Sequence, residues 1–187
     1  MTRLVRSPYF WFILGTVAVV SYAWTARDRY RQAAVLPGSS APEIALPSLS
    51  GGEIRLSDYE DHVVLLNVWA TWCPPCKEEM PSMQRLYESL EGEAFEILAV
   101  SVDAHIGETD EGGYEGGDLA AFAREYGLTF PILHDPRGSI RQTYQVSRVP
   151  ESFIIAKGGL IVRKVAGQTE WDLPVNQELI RSLLDRQ

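Results

Sequence analysis

The run Val63–Trp69 (VVLLNVW) carries no charge and a single polar side chain, Asn67, and the only two cysteines of the chain, Cys73 and Cys76, follow almost at once. A continuous apolar run of this length reads as a strand buried on both faces. From Cys76 onward, Met80, Met83, Leu86 and Leu90 recur at helical spacing, while Lys77, Glu78 and Glu79 are expected to point elsewhere. A buried strand that leads into an amphipathic helix demands a sheet with helices packed on it. It also places both thiols at the junction.

The rest of the chain extends this alternation. EIALPSL and EIRL flank Ser50-Gly51-Gly52 as a β-hairpin. FEILAVSV (95–102) is a second buried strand, and DLAAFAREYG (118–127) is a short helix with Asp118 as N-cap and Gly127 past its end. PILHD reads as a short strand or turn entry and SIRQTY as at least one helical turn. SFIIA and LIVRKV form a hairpin around Lys157-Gly158-Gly159, and LPVNQELIRSLL closes the chain as a helix. The sequence therefore predicts an α/β domain with a mixed sheet, helices on both faces and an added N-terminal hairpin.

Charge divides the chain unevenly. Residues 1–32 carry five arginines against Asp28, a net +4, so the remainder carries −12 against −8 overall. An acidic body lacks the basic face that phosphate binding needs, which excludes nucleic acid as a partner. Ser7 to Ala26 contains no charge across twenty residues, enough for a helix of roughly 30 Å, about one hydrocarbon core. Tyr9, Trp11, Tyr22 and Trp24 lie near its two ends, where amphipathic rings favour the membrane interface. Residues 1–26 are expected to form a single-pass membrane anchor, inserted through 8–26, rather than a cleaved leader, although Ser21-Tyr22-Ala23 fits a cleavage site. Residues 27–41, with Pro37-Gly38-Ser39-Ser40, are expected to be a linker, and 42–187 the folded domain.

The thiols carry the chemistry. A helix N-terminus offers unpaired amides and positive potential, and both stabilise a thiolate. Cys73, at the helix start, is expected to be the exposed attacking sulfur, and Cys76, on the apolar stripe, the sheltered resolving one. A zinc half-site is the competing reading, but no second C-x-x-C exists and His62, His105 and His134 lack paired spacing. No metal or cofactor is expected beyond a redox-active Cys73–Cys76 disulfide.

VVLLNVWATWCPPCKEEMP (63–81) resembles the active-site strand and helix of thioredoxin-fold proteins. More narrowly, it is similar to the membrane-tethered TlpA/ResA/DsbE (CcmG) group of thiol-disulfide oxidoreductases, and the similarity covers 42–185. SRVPESFII resembles that group's cis-proline segment, which makes Pro150 the cis-proline, beside the active-site disulfide. The resemblance implies that Trp72, Val149 and Glu151 contact substrate, with the backbone before Pro150 pairing with the substrate chain. The Pro150-Glu151 pair resembles the DsbE branch, which implies a reductant of disulfide-containing proteins in cytochrome c maturation. Its substrate would be apocytochrome c and its electron donor a membrane-embedded thiol reductant. The implied location is the bacterial inner membrane, with the domain facing the periplasm or cell exterior, where disulfides persist.

Two features depart from the group. Thioredoxin carries a buried aspartate two residues before the tryptophan that Trp69 matches, and here that position is Asn67, whose amide cannot take a proton. Asp103, ending the next strand, is the candidate acid for proton removal from Cys76, against its reading as an ordinary strand-end carboxylate. Residues 104–117 (AHIGETDEGGYEGG) hold five glycines, four acids and one histidine. They read as a solvated inserted loop; the acids do not follow the alternation of a calcium loop.

Two other activities compete. A peroxiredoxin-type peroxidase requires a P-x-x-x-T-x-x-C run, but Ala70 stands three residues before Cys73 and Leu66 seven before. A copper-delivery module of the Sco type uses C-x-x-x-C, one residue longer than the spacing here.

Overall fold

The computed structural model describes residues 11, 14–22 and 35–186. The chain divides into two compact units, Met1–Ala34 and Val35–Gln187. In the first, residues 14–22 are helical and exposed. Among the described residues no helix is long and apolar enough to cross a membrane. Much of the expected anchor over 8–26 lies outside the described residues.

The second unit is built on the buried runs. Its strands and helices are β1 (Ala45–Pro47), β2 (Glu53–Arg55), β3 (Val63–Trp69), α1 (Pro74–Ser89), β4 (Phe95–Ser101), α2 (Leu119–Tyr126), β5 (Ile132–His134), α3 (Ser139–Thr143), β6 (Glu151–Ile155), β7 (Ile161–Ala166) and α4 (Pro174–Leu184). The main sheet has the order β5-β4-β3-β6-β7. β3 is parallel to β4 and antiparallel to β6, and β4 is parallel to β5. All seven residues of β3 are buried, as a central strand covered on both faces requires. Leu65, Leu66, Ile97, Leu98 and Phe153 are fully enclosed, each worth about 1.5–3 kcal/mol of burial.

Local signals place the remaining elements. Asp118 caps α2 by accepting a 2.8 Å hydrogen bond from the Ala121 amide, and Gly127 ends it at φ 64°. Gly158 and Gly159, both at φ 78°, make the tight β6–β7 turn, a conformation that side-chain-bearing residues rarely adopt. The β1–β2 hairpin stands outside the main sheet, yet Leu49 N donates to Ile132 O at 3.0 Å and ties it to the β5 edge.

The expected domain boundary at residue 42 is too late. Gly38 N donates to Ile161 O, Ala41 N to Gly159 O, and Ile161 N to Ser39 O, all within 2.9 Å. Val35 is buried. Residues 38–41 thus pair with the start of β7 and the turn before it, and their backbone groups find partners there rather than in water.

Candidate active site

β3 delivers the chain to Cys73 at its C-terminal end, and α1 starts there. Cys73 is the N-cap of α1, in extended conformation at φ −93°, ψ 107°. Its Sγ accepts a hydrogen bond from Cys76 N at 3.3 Å. Cys73 and Cys76 form a disulfide with a Cα–Cα distance of 5.3 Å. An N-cap side chain ordinarily accepts from the second or third helical amide. The second helical residue here is Pro75, which has no N–H, so the third, Cys76, is the donor that remains. Cys73 is 3% exposed and Cys76 0%, so the order of accessibility matches the sequence expectation, but Cys73 is far less open than expected.

The β3–β6 register pairs Val68 with Glu151 and so brings Pro150 to the same end of the sheet as the thiols. The Val149–Pro150 peptide bond is cis. Pro150 O accepts from Gly167 N at 2.8 Å, whereas the Val149 backbone makes no hydrogen bond among the described residues. Glu151 is 3% exposed and turned inward. One carboxylate oxygen pairs with Lys164 Nζ at 3.0 Å and the other accepts from Ser147 N at 3.2 Å. Its side chain therefore braces the segment before Pro150, and the expected contact with substrate does not suit a carboxylate occupied in this way.

Asp103 is fully buried at the end of β4. Oδ2 accepts from Thr71 N at 2.8 Å and from Ser101 Oγ at 2.7 Å. Oδ1 accepts from Thr71 Oγ1 and from Gly117 N. Four donors fill the acceptor sites of a carboxylate, which leaves none for the Cys76 proton. Asp103 instead clamps Thr71, two residues before Cys73, to the end of the inserted loop.

The acid that the sequence reading missed is Glu79. It was expected to point away from the apolar stripe, but it is 0% exposed and lies one helical turn beyond Cys76. Asn67 Nδ2 donates to Glu79 Oε1 at 2.7 Å and to Ser152 Oγ at 2.9 Å, and Thr169 N donates to Glu79 Oε2 at 3.3 Å. Burial raises the Glu79 carboxyl to about 7, with these donors opposing the rise. The i, i+3 spacing from Cys76 and the lone polar residue of β3 were the available signals: an amide inside a buried strand needs a partner.

The inserted loop is ordered by its own hydrogen bonds. Asp110 Oδ1 accepts from the amides of Gly112 and Tyr114, Asp110 N donates to Tyr114 O at 2.9 Å, and Gly116 N donates to Glu108 O at 3.0 Å. Its tip lays Tyr114 on Trp72, with centroids 4.0 Å apart and planes at 10°. Trp72 directly precedes Cys73, so the segment expected to be a solvated loop is part of the disulfide's surroundings.

Comparison with known proteins agrees with this geometry. Residues 37–164 match the AhpC/TSA family. The chain is 36% identical over 170 residues to a thiol-disulfide oxidoreductase ResA of Geobacillus thermodenitrificans, spanning 90% of this chain and 92% of that protein. It is 35% identical over 166 residues to ResA of Oceanobacillus iheyensis, spanning 86% and 80%. A crystal structure of a thiol:disulfide interchange protein DsbE, described as putative, from Chlorobium tepidum superposes with a TM-score of 0.67 at 30% identity, covering 79% of this chain and 97% of that one.

Proposed function

Since the chain belongs to the AhpC/TSA family and is a thiol-disulfide oxidoreductase of the ResA/DsbE-like kind, we propose that it works in the reducing direction on disulfide-containing proteins. The observation that carries this reading is the single amide donor to Cys73 Sγ. With Pro75 withholding the second amide, the thiolate keeps the helix field and one N–H, and little else. A weakly stabilised thiolate is a weakly stabilised reduced form, hence a reducing couple. Its potential is expected near the thioredoxin value of roughly −270 mV and far from the roughly −120 mV of a strong oxidant. Equilibration of the full-length protein with a glutathione or dithiol buffer measures it, and a value near the oxidant end would overturn the reading.

The steps are those of dithiol–disulfide exchange, with the roles assigned by position along the strand and helix. The Cys73 thiolate attacks one sulfur of the substrate disulfide, and the other sulfur leaves as a thiol after protonation. Glu79 takes the proton of Cys76, whose thiolate then attacks Cys73 Sγ. That closes the Cys73–Cys76 disulfide and releases the second substrate thiol. Two electrons and two protons pass from the protein dithiol to the substrate disulfide. Asp103 holds the turn through Thr71 while this happens, and the unpaired Val149 backbone is available to an extended substrate strand.

The finer assignments rest on sequence resemblance. Membrane tethering through residues 8–26, a periplasmic or exterior domain, apocytochrome c as substrate and a membrane-embedded thiol donor all fit the uncharged N-terminal segment and the Pro150-Glu151 pair. Capture of mixed disulfides with Cys76→Ser in native membranes identifies the partners directly. Peroxidase activity is disfavoured by Ala70 at the position where a threonine is needed.

A further inference from the structure

The loop between β4 and α2 is joined to the active-site turn at two points. Gly117 N bonds Asp103, whose same oxygen holds the Thr71 hydroxyl. Gly117 also lies so close to Thr71 that an added Cβ would meet Thr71 Cβ at 2.8 Å. The second junction is the stack of Tyr114 on Trp72. Tyr114 nonetheless remains 49% exposed, so its ring covers the indole with one face and offers surface outward. The exposed ring sits in a segment, 104–118, that holds five carboxylates and no lysine or arginine.

We propose that Tyr114 is a specificity-determining residue of the disulfide site, favouring substrate polypeptides with a basic side chain, arginine above all, next to the reacting cysteine. The proposal rests on the reductase reading and names its substrate class. A substrate chain that reaches Cys73 passes beside Trp72, the residue before it, and therefore beside the ring stacked on it. An aromatic face attracts a guanidinium electrostatically and by planar stacking. The surrounding carboxylates add field of the same sense and favour approach of a cationic segment. The ring does not touch the reacting sulfurs, so its effect belongs to substrate binding rather than to sulfur exchange.

The test uses two disulfide-bridged peptides, identical except for Arg or Gln beside one cysteine, reduced by the full-length dithiol protein. The Arg peptide is expected to have the higher kcat/KM by about two- to fivefold, expressed in KM. Tyr114→Ala is expected to bring the ratio of the two peptides toward one, and Tyr114→Phe, which retains the ring, to preserve it. Equal rates for the two peptides with wild-type protein, or an unchanged ratio in Tyr114→Ala, would overturn the proposal and leave the reductase reading standing. Failure to reduce either peptide would overturn both.

Discussion

Asn67 donates a 2.7 Å hydrogen bond to Glu79, linking the only polar side chain of the central strand to the acid one turn beyond Cys76. Both residues are fully buried. The amide lowers the cost of charge on Glu79 without abolishing it, and the carboxyl is left raised to about 7, where it exchanges a proton at neutral pH.

Resolution of the mixed disulfide by Cys76 should therefore accelerate as pH rises through about 7, because only ionised Glu79 accepts the proton. In Glu79→Gln that inflection is expected to vanish, and the rate at pH 7 to fall by about a hundredfold. Stopped-flow release of a bound chromophoric thiol across pH 5–9 provides the profile. The inflection should survive in Asp103→Asn. Its loss there would return the role to Asp103.

The same carboxyl links stability to pH. Its folded value lies above its unfolded one, so the folded state holds the proton more tightly. The stabilising contribution is complete below about 4.5 and is lost as pH rises through about 7. Its size is on the order of 3 kcal/mol. Denaturant midpoints of the oxidised protein should fall between pH 5 and 8 more steeply in wild type than in Glu79→Gln. Parallel curves would show that Glu79 does not titrate there.

Pro75→Ala restores the second helical amide beneath Cys73 Sγ. One hydrogen bond to a charged sulfur is worth about 1.5–3 kcal/mol, so the couple should become more oxidising by about 30–60 mV. Equilibration with glutathione reads the shift. An unchanged potential would remove the amide argument for a reducing couple.

Gly117→Ala drives a methyl into Thr71 and breaks the approach that lets Gly117 N reach Asp103. A loss of about 1–3 kcal/mol in unfolding free energy is expected, with faster proteolysis of the 104–117 loop. A wild-type denaturation curve would show that the loop can shift away at no cost.

The N-terminal segment is expected to remain on the mature protein. The intact mass of the native protein decides this, since loss of about the first 23 residues would mark a leader instead.

The sheet and helices were legible in the sequence because their signals are local and strong: the uncharged β3 run, the Cys76-Met80-Met83 stripe, Asp118 and Gly127 around α2, and the Gly158-Gly159 turn. The thiol junction was legible for the same reason. Glu79 was not, because a glutamate beside Lys77 and Glu78 looks like solvated surface, and its partners Asn67 and Thr169 lie 12 and 90 residues away in the chain. The hydrogen bonds of Asp103 were not legible because its partners Thr71 and Gly117 lie 32 and 14 residues away in the chain. Tyr114 was hidden among glycines and acids, whose composition reports solvent exposure but not the hairpin that Asp110 closes.

That hairpin begins and ends at one place: Ile106 and Gly116 bridge directly. A segment whose ends already meet can be shortened with little entropic change, since closing a shorter loop there orders few further residues. Apart from the stack of Tyr114 on Trp72, residues 107–115 are thus separable from the sheet and helix that carry the disulfide. The redox chemistry belongs to the sheet and helix, and the aromatic surface beside it is carried on a part that can be exchanged, so a new partner could be gained or lost by insertion and deletion alone without disturbing how electrons move.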